Sequence, residues 1–182
     1  MENYLIEHCS PTLANIKTAS LFTYTFQCKQ GFIRCLLKIN HTLNKRGVYV
    51  EPLRISEGRA LIWVYRKSQI EQRLQETAIS KFLRACEYDL TTLDEVILFL
   101  KRRIEESDGF PHEIGIFLGY PLADVIAFIK HDGKNSKCTG CWKVYFDENE
   151  AIRIFAMYEK CRTVYKKMFS LGKSIIQLTV AA

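Results

Sequence analysis

The chain has 182 residues, of which 48% are hydrophobic, 25% charged and 12% aromatic, a composition typical of a globular protein. A chain of this length buries a core without the help of metals or disulfides, and its composition argues against disorder. The net charge is +6, but the basic clusters fall on the polar faces of predicted helices, with no nucleic-acid-binding motif beside them. Nucleic acid is therefore disfavoured as a partner.

The sequence also indicates where the protein works. No apolar run approaches the roughly 20 residues needed to span a bilayer, so no membrane association is expected. The first residues lack the basic start and apolar stretch of a signal peptide, which predicts a cytoplasmic protein. The seven cysteines are odd in number and scattered, as expected of free thiols rather than a disulfide framework.

Periodicity in the first half of the chain predicts helices and strands in turn. They are a helix over 1–8, a turn from Pro11 to about Lys17 capped by Ser10, a strand over 20–26, a helix over 30–45, and strands over 48–55 and 59–66. Pro52 cannot donate a ladder hydrogen bond, so its strand should lie at an edge or carry a bulge. The strand over 59–66 is apolar on both faces, which is typical of a central strand.

The second half is mainly helical. It predicts one or two helices over 68–87, a helix from Thr92 to about Ile104 stopped by Ser107, Asp108 and Gly109, a helix over 121–129, a strand over 142–146, a long helix from Asp147 to about Met168, and a strand over 175–180. Strands and helices do not alternate strictly. The sequence therefore predicts an α+β fold, with a mixed, largely antiparallel sheet of about five strands and helices packed on it. No internal boundary is visible, so we expect a single domain over residues 1–182.

Several segments resemble one family. They are HCSPTLA at 8–14 followed by Lys17, GRAL at 58–61 leading to VYR at 64–66, FPHEIG at 110–115 continuing to Pro121, CWKVY at 141–145, and LTV at 178–180. Together they span essentially the whole chain and resemble the bacterial family known as domain of unknown function 3793. The resemblance implies a single domain and brings no activity, substrate or catalytic residue with it.

Cys9 is the first candidate for chemistry. It precedes a predicted helix N-terminus, where free N–H groups and the helix dipole favour a thiolate, and His8 or Lys17 would add positive charge. The alternative is a buried cysteine that acts as a small hydrophobic residue.

The second candidate is the pair His112 and Glu113 in residues 110–115, called here the FPHEIG segment. Pro111 stiffens this segment, and Gly115 lets a ligand or another backbone come close. His112 would act as acid and base for a Cys9 nucleophile, with Glu113 orienting it. The alternative is a turn in which Glu113 caps a helix and His112 bonds to the backbone.

Other residues suggest binding. Tyr120 stands at a turn into a helix, and alternation on the strand over 142–146 places Trp142 on one face and Lys143 with Tyr145 on the other. We expect these four, together with Lys17, to line a ligand site; the alternative for the strand is a solvent face.

Cys138 and Cys141 form a CxxC pair, but a structural zinc site needs further ligands at recognisable spacing, and none is evident. A metal site at this pair is therefore an alternative to a plain turn.

Three functional hypotheses result. In the first, the protein binds a small molecule or a protein partner in a cleft lined by the FPHEIG segment. In the second, it is a thiol-dependent enzyme with Cys9 as nucleophile and His112 and Glu113 as supporting groups. In the third, it binds a metal through Cys138 and Cys141. The sequence names no cofactor.

Overall fold

The computed structural model describes residues 1–106 and 110–181. Within them the chain forms eight α-helices: α1 (Glu2–Leu13), α2 (Lys29–Leu43), α3 (Lys67–Gln75), α4 (Thr77–Ala85), α5 (Leu93–Glu106), α6 (Ile114–Phe117), α7 (Leu122–Lys130) and α8 (Glu148–Ser170). The five strands are β1 (Ala19–Thr25), β2 (Val48–Ser56), β3 (Arg59–Arg66), β4 (Cys138–Thr139) and β5 (Lys143–Val144). None of these helices is long and apolar enough to cross a membrane.

The strands confirm the predicted α+β class. All paired strands are antiparallel, and they divide into a three-stranded sheet of order β1-β3-β2 and a separate pair, β4 and β5. The strand that carries Pro52 lies at the edge and also has a bulge between Pro52 and Arg54, as its missing N–H predicts. The apolar strand β3 is central.

The three-stranded sheet separates two hydrophobic cores. Side chains alternate along β3, so Trp63 and Tyr65 enter one core, whereas Ile62 and Val64 enter the other. The first core lies against α3 to α7, and the second against α1 and α2. Because both cores share the same strands, the arrangement supports the expectation of one domain over residues 1–182, which stays a prediction.

The N-terminal helix corrects one prediction. Instead of a break at Ser10, a single helix runs through Pro11, which lies in its last turn. The Ser10 hydroxyl donates back to the carbonyl of Ile6 and so caps nothing. Pro11 removes only one helical N–H close to the helix end, and residues 9–13 are buried, so packing outweighs that loss.

The predicted strand over 175–180 is also wrong. Those residues form turns, in which Ile175 and Leu178 are buried in the second core. Their spacing of three suits a helical turn better than the alternation of a strand, and Leu178 N donates to Ser174 O at 3.1 Å.

The prediction of one or two helices over 68–87 is met by two, which separate at Glu76. Half of the Thr92 capping box forms, because Thr92 Oγ1 accepts from Glu95 N at 3.2 Å, whereas the Glu95 carboxylate accepts from the Thr92 hydroxyl at 2.8 Å and not from the Thr92 N–H. The helix stop predicted at Ser107, Asp108 and Gly109 lies outside the described residues.

A buried arginine at the end of β3 joins three distant segments. Arg66 is fully buried, and its guanidinium donates to the carbonyl oxygens of Thr12 (2.7 Å), Leu13 (2.5 Å), Arg46 (3.0 Å) and Val180 (2.8 Å). Two of these carbonyls end α1, where the helix dipole concentrates partial negative charge. No carboxylate of residues 1–106 or 110–181 forms a salt bridge with Arg66, so main-chain oxygens alone compensate its charge.

Replacing Arg66 with Met should lower the free energy of unfolding by at least about 3 kcal/mol, because buried carbonyls lose their donors. Urea unfolding measures this change. Arg59→Met is the matched control: Arg59 is exposed on the same strand, and its loss should cost less than about 0.5 kcal/mol. Equal midpoints for the two variants would contradict the role given to Arg66.

Candidate functional site

Asp124 holds the short hairpin formed by β4 and β5, residues 138–144, against α7. Its carboxylate is buried and accepts from Trp142 Nε1 at 2.8 Å through Oδ2, and from Tyr145 N at 2.9 Å and Phe146 N at 3.2 Å through Oδ1. The strand predicted over 142–146 therefore ends early, because two of its N–H groups donate to a side chain instead of a neighbouring strand. Sequence reasoning missed Asp124, which looks like an ordinary acidic residue in the first turn of a helix.

The tip of the hairpin packs against α8. A Cβ atom on Gly140 would lie 2.3 Å from the Phe155 ring, so only glycine fits there. The Trp142 ring meets Phe155 edge-on, with ring centroids 4.6 Å apart, and lies nearly parallel to Tyr120 at 5.2 Å. The hairpin is thus fixed between α7 and α8.

A cavity of about 270 Å³ opens between the FPHEIG segment, α7 and the hairpin. We call it the aromatic cavity. Its lining residues are Phe110, His112, Ile114, Gly115, Tyr120, Asp124, Val125, Phe128, Thr139, Gly140, Trp142 and Lys143. Of the eight residues predicted to form a site, His112, Tyr120, Trp142 and Lys143 line it, whereas Cys9, Lys17, Glu113 and Tyr145 do not.

His112 belongs to the wall of the aromatic cavity. Its imidazole meets the Phe128 ring edge-on at 5.0 Å and is exposed, with no side-chain hydrogen bond to another described residue. Gly115 makes the adjoining wall, where a Cβ atom would lie 2.8 Å from Val125. Gly115 was predicted to let a ligand or another backbone come close, and the neighbouring helix α7 packs against it.

Glu113 points away from His112. It is buried and pairs with Arg103 at 3.1 Å, and Tyr88 donates to it at 3.4 Å. The charge of Glu113 raises the pKa of Arg103. Glu113 therefore anchors α5 to the FPHEIG segment, and the structure gives no support to its predicted role in orienting His112.

Arg73 on α3 holds the residues that follow the FPHEIG segment and was not identified from the sequence. Its guanidinium donates to Ile116 O at 3.2 Å and to Tyr120 O at 2.9 Å. Burial raises the pKa of Tyr120 to about 12, so its phenol stays protonated at neutral pH. The role of Arg73 cannot be read from the sequence, because its acceptors lie more than 40 residues away and an arginine on a solvent-exposed helix face gives the same local pattern.

Two lysines lie at the aromatic cavity or next to it. Lys143 Nζ donates to Gly133 O at 2.6 Å and lies 5.7 Å from the centroid of Phe128. Lys17 is half-buried behind Tyr120, with its ammonium 5.8 Å from the ring centroids of Tyr120 and Tyr158. Burial lowers the pKa of Lys17. Neither ammonium forms a salt bridge with a carboxylate in the described part of the chain.

The prediction that Trp142 faces one side of the strand, and Lys143 with Tyr145 the other, is wrong. Trp142 and Lys143 both line the aromatic cavity, because the regular strand covers only two residues. Tyr145 instead stacks on His131, with centroids 5.8 Å apart, and its buried hydroxyl finds no hydrogen-bond partner among the described residues. It is not part of the cavity wall.

Cys9 lies within α1 rather than before a helix, so the expected helix N-terminus is absent there. The thiol is fully buried in the second core, and burial raises its pKa to about 12, although Lys17 and a hydrogen bond with Ser20 oppose this shift. The residues around His112 belong to the first core. The proposed pairing of Cys9 with His112 therefore has no structural support.

Cys138 and Cys141 belong to the hairpin. Cys138 is in β4, opposite Val144, whereas Cys141 lies in the turn between β4 and β5. No group of three or more His, Cys, Asp or Glu side chains able to hold a metal occurs within residues 1–106 and 110–181. The hairpin geometry thus gives the metal hypothesis no support.

The chain belongs to the family described as protein of unknown function (DUF3793), whose model matches residues 5–179. The predicted family is therefore confirmed, and it covers nearly the whole chain. No curated protein and no solved structure matches the chain.

Asp124→Asn should lower the free energy of unfolding by about 2 kcal/mol, because one amide cannot accept from three N–H donors. It should also shift the Trp142 indole N–H resonance in a proton–nitrogen correlation spectrum. Asp147→Asn is the matched control, since asparagine caps a helix as well as aspartate does, and Asp147 is the exposed N-cap of α8. If Asp124→Asn lost no more unfolding free energy than Asp147→Asn, the anchoring role of Asp124 would be refuted.

Cys9 should resist alkylation in the folded protein. At pH 8 the raised pKa keeps the thiol protonated, and the thiolate is the reactive form. Iodoacetamide labelling followed by peptide mass spectrometry should modify the exposed Cys28 first and Cys9 only after urea is added. Labelling of Cys9 as fast as Cys28 in native buffer would revive the nucleophile hypothesis.

Proposed function

We propose that this member of the DUF3793 family binds a small, largely apolar molecule in the aromatic cavity. The observation that carries the proposal is the cavity itself. Three consecutive segments between Phe110 and Val144 meet there, and Phe110, His112, Tyr120, Phe128 and Trp142 supply its aromatic surface. Concave, mostly apolar sites with a few polar groups are typical of small-molecule binding.

The polar groups of the cavity support this proposal. The His112 imidazole has no side-chain hydrogen bond within the described part of the chain, and the Lys143 ammonium uses one of its three N–H groups on Gly133. Such groups fix the orientation of a ligand whose rings contact the aromatic walls. A concave surface suits a small molecule better than the flatter face of a protein partner.

We also infer that the protein works in the cytoplasm of a bacterium with its thiols reduced. The seven cysteines lie in seven different elements or loops, and all seven are unpaired among the described residues. That usage fits a reducing compartment. The bacterial source rests on the family resemblance alone.

Indole, a neutral aromatic probe, should bind with a dissociation constant at or below about 1 mM, ordinary for a fragment. The chain has two tryptophans, so two indole N–H resonances report binding. The Trp142 resonance should move with indole concentration, whereas that of Trp63, which is fully buried in the first core, should stay fixed. Trp142→Phe assigns the two signals.

A cavity-filling variant supplies the control for indole binding. Thr139 lines the cavity and is exposed, so Thr139→Phe should fill part of the space and weaken binding at least about tenfold, which corresponds to 1.4 kcal/mol. Thr163→Phe, at an exposed position of α8, should leave binding unchanged. Unmoved Trp142 signals, or equal binding by both variants, would overturn the proposed function.

A further inference from the structure

The aromatic cavity has walls suited to a flat ring. Trp142 and Tyr120 lie within 29° of parallel, with centroids 5.2 Å apart. On the FPHEIG side, His112 meets Phe128 edge-on at 5.0 Å. Flat rings bind such walls by stacking and edge contacts, at little conformational cost.

The acidic group in the wall is not available to a cationic ligand. Asp124 accepts three hydrogen bonds through its two oxygens, from one indole and two backbone N–H groups. These donors compensate its charge and occupy the lone pairs that point toward the hairpin. No other carboxylate lines the cavity among the described residues. The wall therefore offers nothing that would pair with an ammonium ligand.

The positive groups, by contrast, form no salt bridge with a carboxylate of residues 1–106 or 110–181. Lys143 lines the cavity, and Nζ donates to a neutral carbonyl, that of Gly133, at 2.6 Å. Lys17 lies behind Tyr120 in contact with two aromatic faces, with no side-chain hydrogen bond to any described residue. Both charges thus add to the potential in the cavity instead of being cancelled locally, and such a potential favours an anion.

We propose that the ligand of the aromatic cavity is a planar aromatic anion of the carboxylate class, with its ring between the aromatic walls and its carboxylate on Lys143. This assignment rests on the proposed function, because it names the class of molecule that the cavity takes. The two N–H groups that Lys143 has left provide charge-assisted hydrogen bonds to the carboxylate. The protonated phenol of Tyr120 provides a further donor on the wall.

Three probes of the same shape test the charge preference. Benzoate, benzamide and benzylammonium carry a negative, zero and positive charge, and each is titrated into the nitrogen-15-labelled full chain while the Trp142 indole resonance is followed. Benzoate should bind roughly tenfold tighter than benzamide, the equivalent of one charge-assisted hydrogen bond, and benzylammonium should bind most weakly.

Variants of Lys143 test whether this residue causes the preference for benzoate over benzamide. Lys143→Met should bring benzoate down to the affinity of benzamide, and Lys143→Arg should keep most of the difference because the charge remains. Lys130→Met is the matched control, since Lys130 is exposed on α7 outside the cavity wall, and it should change neither affinity. The charge series in the unmodified protein decides the question if Lys143→Met does not fold.

The outcomes separate this inference from the proposed function. Equal affinities for benzoate and benzamide, or tighter binding of benzylammonium, would overturn the anionic class while the cavity remains a binding site. A preference for benzoate that survives Lys143→Met would overturn the role of Lys143. If none of the three probes and no indole moved the Trp142 signal, both proposals would fail together.

Discussion

The fold depends on a buried cation that pairs with no carboxylate of the described residues. Arg66 at the end of the central strand donates to main-chain oxygens of α1, of the turn before β2 and of the C-terminal segment. A guanidinium suits this task because its planar fork presents five donors, whereas a lysine would present a point charge. The C-terminal segment adds a bond of its own, from Val180 N to Leu13 O at 3.0 Å. The C-terminal end of α1 and the segment around Val180 are thereby held together at one end of β3.

The candidate site depends on the opposite arrangement: a buried carboxylate, that of Asp124, accepts its hydrogen bonds from N–H groups. Asp124 ends β5 early and holds the hairpin on α7, while Arg73 donates to carbonyls on both sides of the turn before α7. Three charged side chains thus form their hydrogen bonds with the protein's own polar groups: Arg66, Asp124 and Arg73. Lys143 at the aromatic cavity, by contrast, uses one of its three N–H groups on Gly133 O, and Lys17 forms no side-chain hydrogen bond with a described residue.

Much of the fold could be predicted because it depends on local patterns. Because Pro52 has no N–H to donate, its strand was predicted to lie at an edge or to carry a bulge, and it does both. The uninterrupted apolar run of β3 predicted its central position. The failures occurred where a distant group overrides the local pattern. Residues 175–180 carry β-prone side chains but fold as turns against the second core, and Pro11 continues a helix that its sequence alone would end.

The site was predictable only in part, for the same physical reason. His112, Tyr120, Trp142 and Lys143 were singled out separately, and all four line one cavity. Nothing local showed that Asp124 would bring the hairpin to them, since its partners lie about twenty positions away in sequence. The FPHEIG segment also owes part of its character to packing: Gly115 is needed because Val125 leaves no room for a Cβ atom, and Glu113 is needed for Arg103. Its distinctive sequence therefore builds the wall of the aromatic cavity, and of its polar side chains His112 is the one that lines this cavity.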